Sequence, residues 1–296
     1  MKDYKRFELQ IASIGIEVES SISAELSNRC SLFIKKGITP DVRFMITPGE
    51  YESSNYEIIN ILGSVQIRKK EEEFLKIQYT DDSFRTVRWI SRWKKSESTP
   101  DRQCLYEVFV PGSIEVIGNI NPLMFVELSG FFLRFDAVIL HSAVVNYRSQ
   151  GILFTAPSGT GKSTQADLWE TYRGAEIING DRGIIRRTGA GYYAFGSPYA
   201  GSSGIYKNEQ VKVSAVVVLR QAEENRIFRL DKKAAYIYLI SEISVSEWDK
   251  ETVEGQAQWL EKFIDCVPVY LLECRPDREA VEVLYKELEA GENKNE

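Results

Sequence analysis

One segment in the second half of the chain constrains the fold more than any other. Residues 151–164 read Gly-Ile-Leu-Phe-Thr-Ala-Pro-Ser-Gly-Thr-Gly-Lys-Ser-Thr, and an amphipathic stretch follows to residue 172. An apolar strand therefore leads through a loop of small residues into a helix. Glycines at 159 and 161 allow backbone amides to turn inward, and a helix N-terminus offers unsatisfied N–H groups and the positive end of its dipole. This order predicts a phosphate-binding loop, or P-loop, within an α/β domain.

The residue types of this glycine-rich loop, residues 156–164, suit the phosphates of ATP and a magnesium ion. Lys162 would reach the β- and γ-phosphates, and the hydroxyl of Ser163 would be a ligand to Mg²⁺. Ala156 stands where the strict motif has glycine, a small departure because the side chain is still short. The predicted nucleotide-binding residues are Ser158, Gly159, Thr160, Gly161, Lys162, Ser163 and Thr164.

A second acidic group is needed to hold or orient the metal ion. Residues 177–182 read Ile-Ile-Asn-Gly-Asp-Arg, so Asp181 follows two apolar β-branched residues. That pattern places Asp181 at the carboxyl end of a strand, where open α/β sheets bind ligands. Asp181 is therefore the predicted metal ligand beside Ser163, although an Asp in an Asn-Gly-Asp turn also occurs without any function.

Strand and helix signals divide the chain into a β-rich front and an α/β rear. Up to residue 118, short segments of β-branched and aromatic residues alternate with turn clusters, which predicts a mostly antiparallel sheet. An apolar helix is predicted from Asn121-Pro122 to residue 135. The predicted organisation is a β-rich (α+β) domain at 1–118, an α/β P-loop domain at 119–290 and a disordered tail at 291–296.

Periodicity also places the elements of the rear domain. Strands are expected at 137–145, 151–155, 176–178, 213–219, 227–230 and 267–273, and helices at 162–172, 232–244, 255–266 and 277–288. Residues 196–204 are rich in small residues and form a loop, which acts either as a lid over a site or as a plain connection.

Composition excludes several classes of function. The 296 residues suffice for two domains, the net charge is −6 and no dense Lys/Arg block occurs, which argues against nucleic-acid binding. No apolar stretch approaches the length of a membrane span and the N-terminus is charged, so a cytoplasmic protein without membrane contact is expected. Reduced thiols are expected at the four cysteines, Cys30, Cys104, Cys266 and Cys274.

The segment from Leu140-His141-Ser142-Ala143 through Arg182 resembles the catalytic domain of HPr kinase/phosphorylase, whose core is shared with ATP-dependent phosphoenolpyruvate carboxykinase. The resemblance implies that Lys162 binds phosphates, that Ser163 and Asp181 lie at the metal, and that a carboxylate at or beside Asp181 accepts the proton of an attacking hydroxyl. The family shows two adjacent carboxylates, whereas this chain has Asp181-Arg182.

Other residues have a functional and a structural interpretation that the sequence leaves open. His141 is the single histidine, and the family pattern puts a histidine near the phosphate, while a strand histidine alone is more often a satisfied core residue. Lys207, Arg186 and Arg187 either neutralise phosphate charge or lie on a solvated surface. We predict catalytic roles for Lys162, Asp181 and His141.

These observations predict an ATP-dependent, Mg²⁺-requiring kinase that transfers a phosphoryl group to a hydroxyl. The resemblance makes a serine of a protein or peptide the expected acceptor, held by the β-rich domain, and homo-oligomers are possible. One alternative is a small-molecule kinase or a carboxykinase-like enzyme. The other is a regulatory or scaffold protein that binds ATP without chemistry.

Overall fold

The computed structural model describes residues 5–95, 104–199 and 201–292. Packing divides the chain into two compact units, Met1–Arg134 and Phe135–Glu296, called here the first and second unit. The structure is a strand-rich mixture of α and β elements, and each unit contains one large mixed sheet.

The first unit consists almost entirely of strands. Its elements are β1 (Lys5–Ile11), β2 (Ile14–Ser20), β3 (Ser23–Leu26), α1 (Asn28–Ser31), β4 (Val42–Pro48), β5 (Glu57–Leu62), β6 (Val65–Lys70), β7 (Glu73–Tyr79), β8 (Val87–Lys94), β9 (Cys104–Val110), β10 (Val116–Ile120) and α2 (Leu128–Leu133). The main sheet has the order β1-β2-β4-β9-β8-β7-β6-β5. Its strands alternate in burial, most regularly in β9, because successive side chains point to opposite faces.

The prediction of a mostly antiparallel sheet is confirmed, with one exception in its middle. Strand β4 pairs in parallel with both β2 and β9, while the other neighbouring pairs in this order are antiparallel. Parallel neighbours require crossover connections, and β9 begins more than fifty residues after β4 ends. Turn residues in the sequence indicate pairs of consecutive antiparallel strands, so they did not predict the parallel pairs of β4 with β2 and β9.

The first unit extends to Arg134, beyond the boundary after residue 118 that the sequence suggested. Aromatic packing explains the difference, since Phe125 contacts the rings of Phe44 and Trp89, and Phe131 lies beside Tyr106. The single helix predicted from Asn121 to residue 135 is wrong in its extent. A 3-10 turn (Pro122–Met124) capped by the Asn121 side chain is followed by the short helix α2, which the Glu127 carboxylate caps.

The second unit places helices around a mixed sheet. Its elements are β11 (Ala137–Tyr147), β12 (Gln150–Thr155), α3 (Lys162–Arg173), β13 (Glu176–Asn179), β14 (Arg182–Thr188), β15 (Gly191–Phe195), a 3-10 turn (Gly201–Ser203), β16 (Gln210–Gln221), β17 (Arg226–Arg229), α4 (Lys232–Ile240), α5 (Lys250–Cys266), β18 (Val269–Cys274) and α6 (Arg278–Glu292). The order is β12-β11-β14-β15-β16-β18-β17, β13 pairs with β11, and β12 also pairs with β16.

The core of the second unit fixes helix α3 against the sheet. Trp169 is fully buried and its ring lies next to those of Tyr147 on β11 and Phe154 on β12. Helix α3 also presents Ala166 to the same cluster, which includes Val217 of β16. Replacing a buried tryptophan by alanine typically lowers the free energy of unfolding by about 3–5 kcal/mol, so this packing stabilises the fold considerably. The loop that joins β12 to α3 is therefore anchored at both ends.

Most predicted elements of the second unit are present, with shifted ends. The prediction of a strand, a loop and a helix at 151–172 is confirmed by β12 and α3. The helix expected at 232–244 ends at Ile240, and the helix expected at 255–266 begins at Lys250. Strands β14 and β15 were not predicted, because glycine and arginine interrupt their apolar pattern.

The predicted disordered tail overlaps the last helix, since α6 continues through Glu292 and residues 293–296 lie outside the described part of the chain. Among the described residues, no helix combines the length and the apolar character that a membrane crossing requires. The four cysteines are free thiols.

Candidate functional site

The glycine-rich loop joins β12 to α3 through two backbone conformations that favour glycine. Gly159 has φ +81° and Gly161 has φ +117°. Gly159 lies within a tight turn, in which the Thr160 N–H donates to the Pro157 carbonyl at 3.3 Å. Gly161 is the residue before α3, and no side chain caps the helix there. The N–H groups of the first helical turn, which have no intrahelical acceptor, therefore remain available to a ligand.

Lys162 is folded back onto the glycine-rich loop. Its side chain is 7% exposed, and Nζ donates to the carbonyl of Ala156 at 2.8 Å and to that of Pro157 at 3.5 Å. Burial lowers the pKa of Lys162, while the negative charges of Glu242 and Asp181 oppose that shift. The ammonium group thus lies inside the loop, against its carbonyl groups.

Asp181 lies in a turn between β13 and β14 that the side chain of Asn179 holds in place. The Asn179 Oδ1 accepts from the N–H of Asp181 at 3.0 Å and from that of Arg182 at 2.8 Å. The Asp181 carbonyl in turn accepts from the Ser142 N–H of β11 at 2.9 Å. The backbone of Asp181 is therefore fixed from two sides, and its carboxylate lies 3.6 Å from the Arg182 guanidinium.

His141 lies between two carboxylates. Its Nε2 is 3.3 Å from Asp181 Oδ1, and its Nδ1 is 3.1 Å from Glu242 Oε2. The structure thus brings together two of the predicted catalytic residues, His141 and Asp181, and adds Glu242, which no sequence motif marks. Glu242 comes 101 residues after His141 and falls in a stretch that periodicity assigns to a helix. Because α4 ends at Ile240, Glu242 lies in the segment after the helix, and this segment reaches the site.

The predicted loop at 196–204 covers the turn that carries Asp181. The Tyr199 carbonyl accepts from Asn179 Nδ2 at 2.8 Å, and the Ile205 carbonyl accepts from the Gly180 N–H at 3.3 Å. At Gly201, a Cβ would lie 2.5 Å from the Cβ of Asp181. Gly201 therefore lies directly against Asp181, while Ala200 of the predicted loop lies outside the described residues.

The other predicted basic residues make contacts elsewhere in the second unit. Lys207 pairs with Glu176 at 2.6 Å on an exposed face. The Arg186 side chain donates to the Phe135 carbonyl at 3.0 Å, and Arg187 lines a separate cavity beside Asp136. These contacts favour the interpretation of Lys207, Arg186 and Arg187 as surface or structural residues.

A cavity of about 460 Å³ opens beside the glycine-rich loop. Its walls are residues 156–160 of that loop, residues 218–221 at the end of β16, and Ile237, Tyr238, Ser241 and Glu242 on and after α4. Its size lies within the range of small-molecule and cofactor sites. Ile237 is 60% exposed, so an apolar surface is available beside the loop.

A magnesium ion fits the oxygen donors of this site only if phosphate and water supply most of its ligands. Among the described residues, no group of three or more His, Cys, Asp and Glu could hold a metal ion by itself. Ser163 is exposed at the start of α3, and Asp181 is 28% exposed. Mg²⁺ keeps several waters and usually binds one or two protein oxygens together with phosphates, so this donor set suits it.

Comparison with known proteins gives distant structural similarity and no match at the level of sequence families. No protein-family model matches the chain, and no curated protein matches it. Among solved structures, the HPr(Ser) kinase/phosphatase from Coxiella burnetii is similar, with 13% sequence identity, a TM-score of 0.33, and coverage of 52% of this chain and 98% of that one. The similarity to HPr kinase/phosphatase is thus structural and distant, and extends over half of the chain.

Proposed function

We propose that the second unit is an ATP-dependent, Mg²⁺-requiring kinase. The observation that carries the proposal is the position of Lys162, whose Nζ lies inside the glycine-rich loop at 2.8 Å from the Ala156 carbonyl. A loop of amides, a lysine and a nearby carboxylate are the parts that phosphoryl transfer requires.

In this proposal the protein binds the nucleotide mainly with its backbone. The amides of residues 158–164 and the first turn of α3 surround the phosphates, and the adenosine occupies the cavity beside the loop. Lys162 exchanges its bonds to the carbonyls of Ala156 and Pro157 for bonds to the phosphates. Ser163 and Asp181 would hold the magnesium ion, which neutralises charge on the transferring group when it is bound.

The acceptor hydroxyl requires a group that orients it or takes its proton. Asp181 is the candidate, because it is fixed by the Asn179 side chain and lies beneath the loop at 196–204. His141, at 3.3 Å from Asp181, would hold this carboxylate in place or contact the substrate. The loop would exclude water during transfer.

We propose a serine of a protein or peptide as the acceptor, on the basis of the sequence resemblance in residues 140–182. The first unit, with its own sheet and core, would hold that partner. A test is transfer of γ-labelled phosphate from Mg²⁺·ATP to a set of proteins and peptides and, in parallel, to a panel of hydroxylated metabolites. Label on proteins supports the proposal, and label on metabolites alone would replace it with a small-molecule kinase.

The same experiment separates a kinase from a nucleotide-binding scaffold protein. The matched variant is Asp181→Asn, which keeps the size of the side chain and removes its charge. The proposal predicts that transfer is lost in Asp181→Asn and that nucleotide binding remains. Nucleotide binding with no labelled product from the wild-type protein would favour the scaffold.

A further inference from the structure

The sequence lacks a carboxylate next to Asp181, but the structure supplies one from elsewhere in the chain. Glu242 follows α4, its side chain is 9% exposed, and its Oε2 lies 3.1 Å from His141 Nδ1. It also lines the cavity beside the glycine-rich loop. A carboxylate is rarely so buried unless it is paired, and here the partner is the imidazole ring.

Backbone bonds fix Glu242 opposite His141. The His141 N–H donates to the Glu242 carbonyl at 2.9 Å, and the Ser244 N–H donates to the carbonyl of Ile139 at 3.0 Å. Between them, Leu140 and Ile243 form an antiparallel bridge. The segment 242–244 therefore runs along β11, and it joins Glu242 to His141 through main chain and side chain at once. This pairing requires α4 to end at Ile240.

The two ring nitrogens of His141 face different carboxylates. The hydrogen bond made by one nitrogen of an imidazole sets the protonation and orientation of the other. The contact of Nδ1 with Glu242 fixes the position of the ring, and Nε2 then faces Asp181 at 3.3 Å. The histidine ring therefore lies as a link between Glu242 and Asp181.

We propose that Glu242 is the second acidic group of this site, a positioning residue that holds His141 so that Nε2 faces Asp181. This inference rests on the proposed function, because the reaction in which His141 and Asp181 would act is the proposed phosphoryl transfer. The contact itself does not depend on nucleotide.

His141 makes the contact directly measurable, because it is the single histidine of the chain. In protein labelled with ¹⁵N-histidine, long-range ¹H–¹⁵N spectra report the protonation of each ring nitrogen. At one fixed pH and without nucleotide, the wild-type ring is expected to give a single, well-defined Nδ1 signal. Glu242→Ala should shift that signal, and Glu242→Gln, which keeps an acceptor oxygen, should give an intermediate shift.

Two comparisons make the result decisive. The matched control is Glu176→Ala, an exposed carboxylate on β13 that pairs with Lys207, which should leave the ring signals unchanged. Ring signals in Glu242→Ala that match those of the wild type would overturn the proposal. If Glu242→Ala does not fold, Glu242→Gln decides, because the loss of charge alone should alter the Nδ1 signal.

Kinetics then relate the contact to the reaction. With Mg²⁺·ATP as the probe and formation of ADP as the readout, turnover in Glu242→Gln should fall by about 10-fold or more. Turnover equal to the wild type would overturn the positioning role. A wild-type protein that binds no nucleotide would overturn the proposed function alone, because the ring signals report the Glu242 contact independently.

Discussion

Gly201 lies against Asp181, so close that a methyl group added at Gly201 would be 2.5 Å from the Cβ of Asp181 and 2.6 Å from its carboxylate carbon. Gly201 also has φ +53°, a left-handed conformation that glycine adopts at no steric cost. The lack of space for a side chain and the positive φ therefore both favour glycine at position 201, next to the proposed metal and acceptor site.

Gly201→Ala is expected to displace either the loop or Asp181, and to lower phosphoryl transfer by about 10-fold or more, since small displacements at a reacting centre are costly. Gly204→Ala is the matched control, because Gly204 has φ +67° and nothing within 4 Å of an added Cβ. Rates measured in both variants separate the clash from the backbone strain. Equal rates in the two variants would show that the approach of Gly201 to Asp181 has no role in the reaction.

Gly161 is predicted to control nucleotide affinity through its backbone. Its φ of +117° is strained for any residue with a side chain, so Gly161→Ala should disturb the amides before α3 and cost about 1–3 kcal/mol in binding. Gly174→Ala places a similar strain, at φ +63°, at the other end of the same helix. Calorimetry with Mg²⁺·ADP should find weaker binding in Gly161→Ala and unchanged binding in Gly174→Ala, and a reversed order would count against the assignment of the loop.

How much the sequence predicted depended on whether the signal was local. The strand, loop and helix around Lys162 follow from adjacent residues, and the structure contains them. The position of Glu242 did not follow, because helical periodicity continues past Ile240 and the pairing of Leu140 with Ile243 joins segments about a hundred residues apart. A local pattern carries no information about such a pairing.

The boundary between the two units at Arg134 also could not be predicted from local sequence patterns. The apolar pattern before residue 135 could not show which sheet Phe125 and Phe131 contact. The structure places them with Phe44, Trp89 and Tyr106 of the first unit. Strand β14 was missed because burial of Ile184 and Ile185 between arginines depends on neighbouring strands, not on alternation. Local propensity gives way to tertiary packing at both places.

Ile237 tests whether the cavity beside the loop receives the nucleoside. Because this side chain is 60% exposed, Ile237→Asp should leave the fold intact while placing a polar group and a negative charge at the rim of the cavity. The dissociation constant for Mg²⁺·ADP is expected to rise by about 10-fold, the effect of roughly 1.4 kcal/mol. Phe228→Asp, at an exposed apolar position on β17 away from the cavity, should bind as the wild type does. Equal affinities in both variants would remove the nucleoside from this cavity.

Glu73 in the first unit predicts a dependence of stability on pH. The Arg92 guanidinium, at 2.7 Å, lowers the pKa of Glu73 to about 2, with further hydrogen bonds from the hydroxyls of Tyr56 and Tyr51. A depressed carboxyl pKa contributes stability above its unfolded value of about 4.5, and that contribution is lost as the pH falls through about 2.

Glu73→Gln should therefore lower the free energy of unfolding near pH 7 by about 1–2 kcal/mol, after allowance for solvent screening of a partly exposed pair. The difference from the wild type should shrink between about pH 5 and pH 2. Denaturant unfolding at several pH values measures it, with Glu72→Gln, an exposed residue next to Glu73 in the chain, as the control. A difference that stays constant across this range would contradict the role of the Arg92 pair.

The account depends most on the glycine-rich loop binding the phosphates of a nucleotide with Lys162. The direct measurement is isothermal titration calorimetry of Mg²⁺·ATP into the wild-type protein and into Lys162→Ala, with circular dichroism to establish that both are folded. The account predicts saturable heat for the wild type and affinity at least about 10-fold weaker in the variant, because a charge-assisted contact worth roughly 1.5–3 kcal/mol is removed. No heat from the folded wild-type protein, or equal affinity in the two proteins, would contradict it.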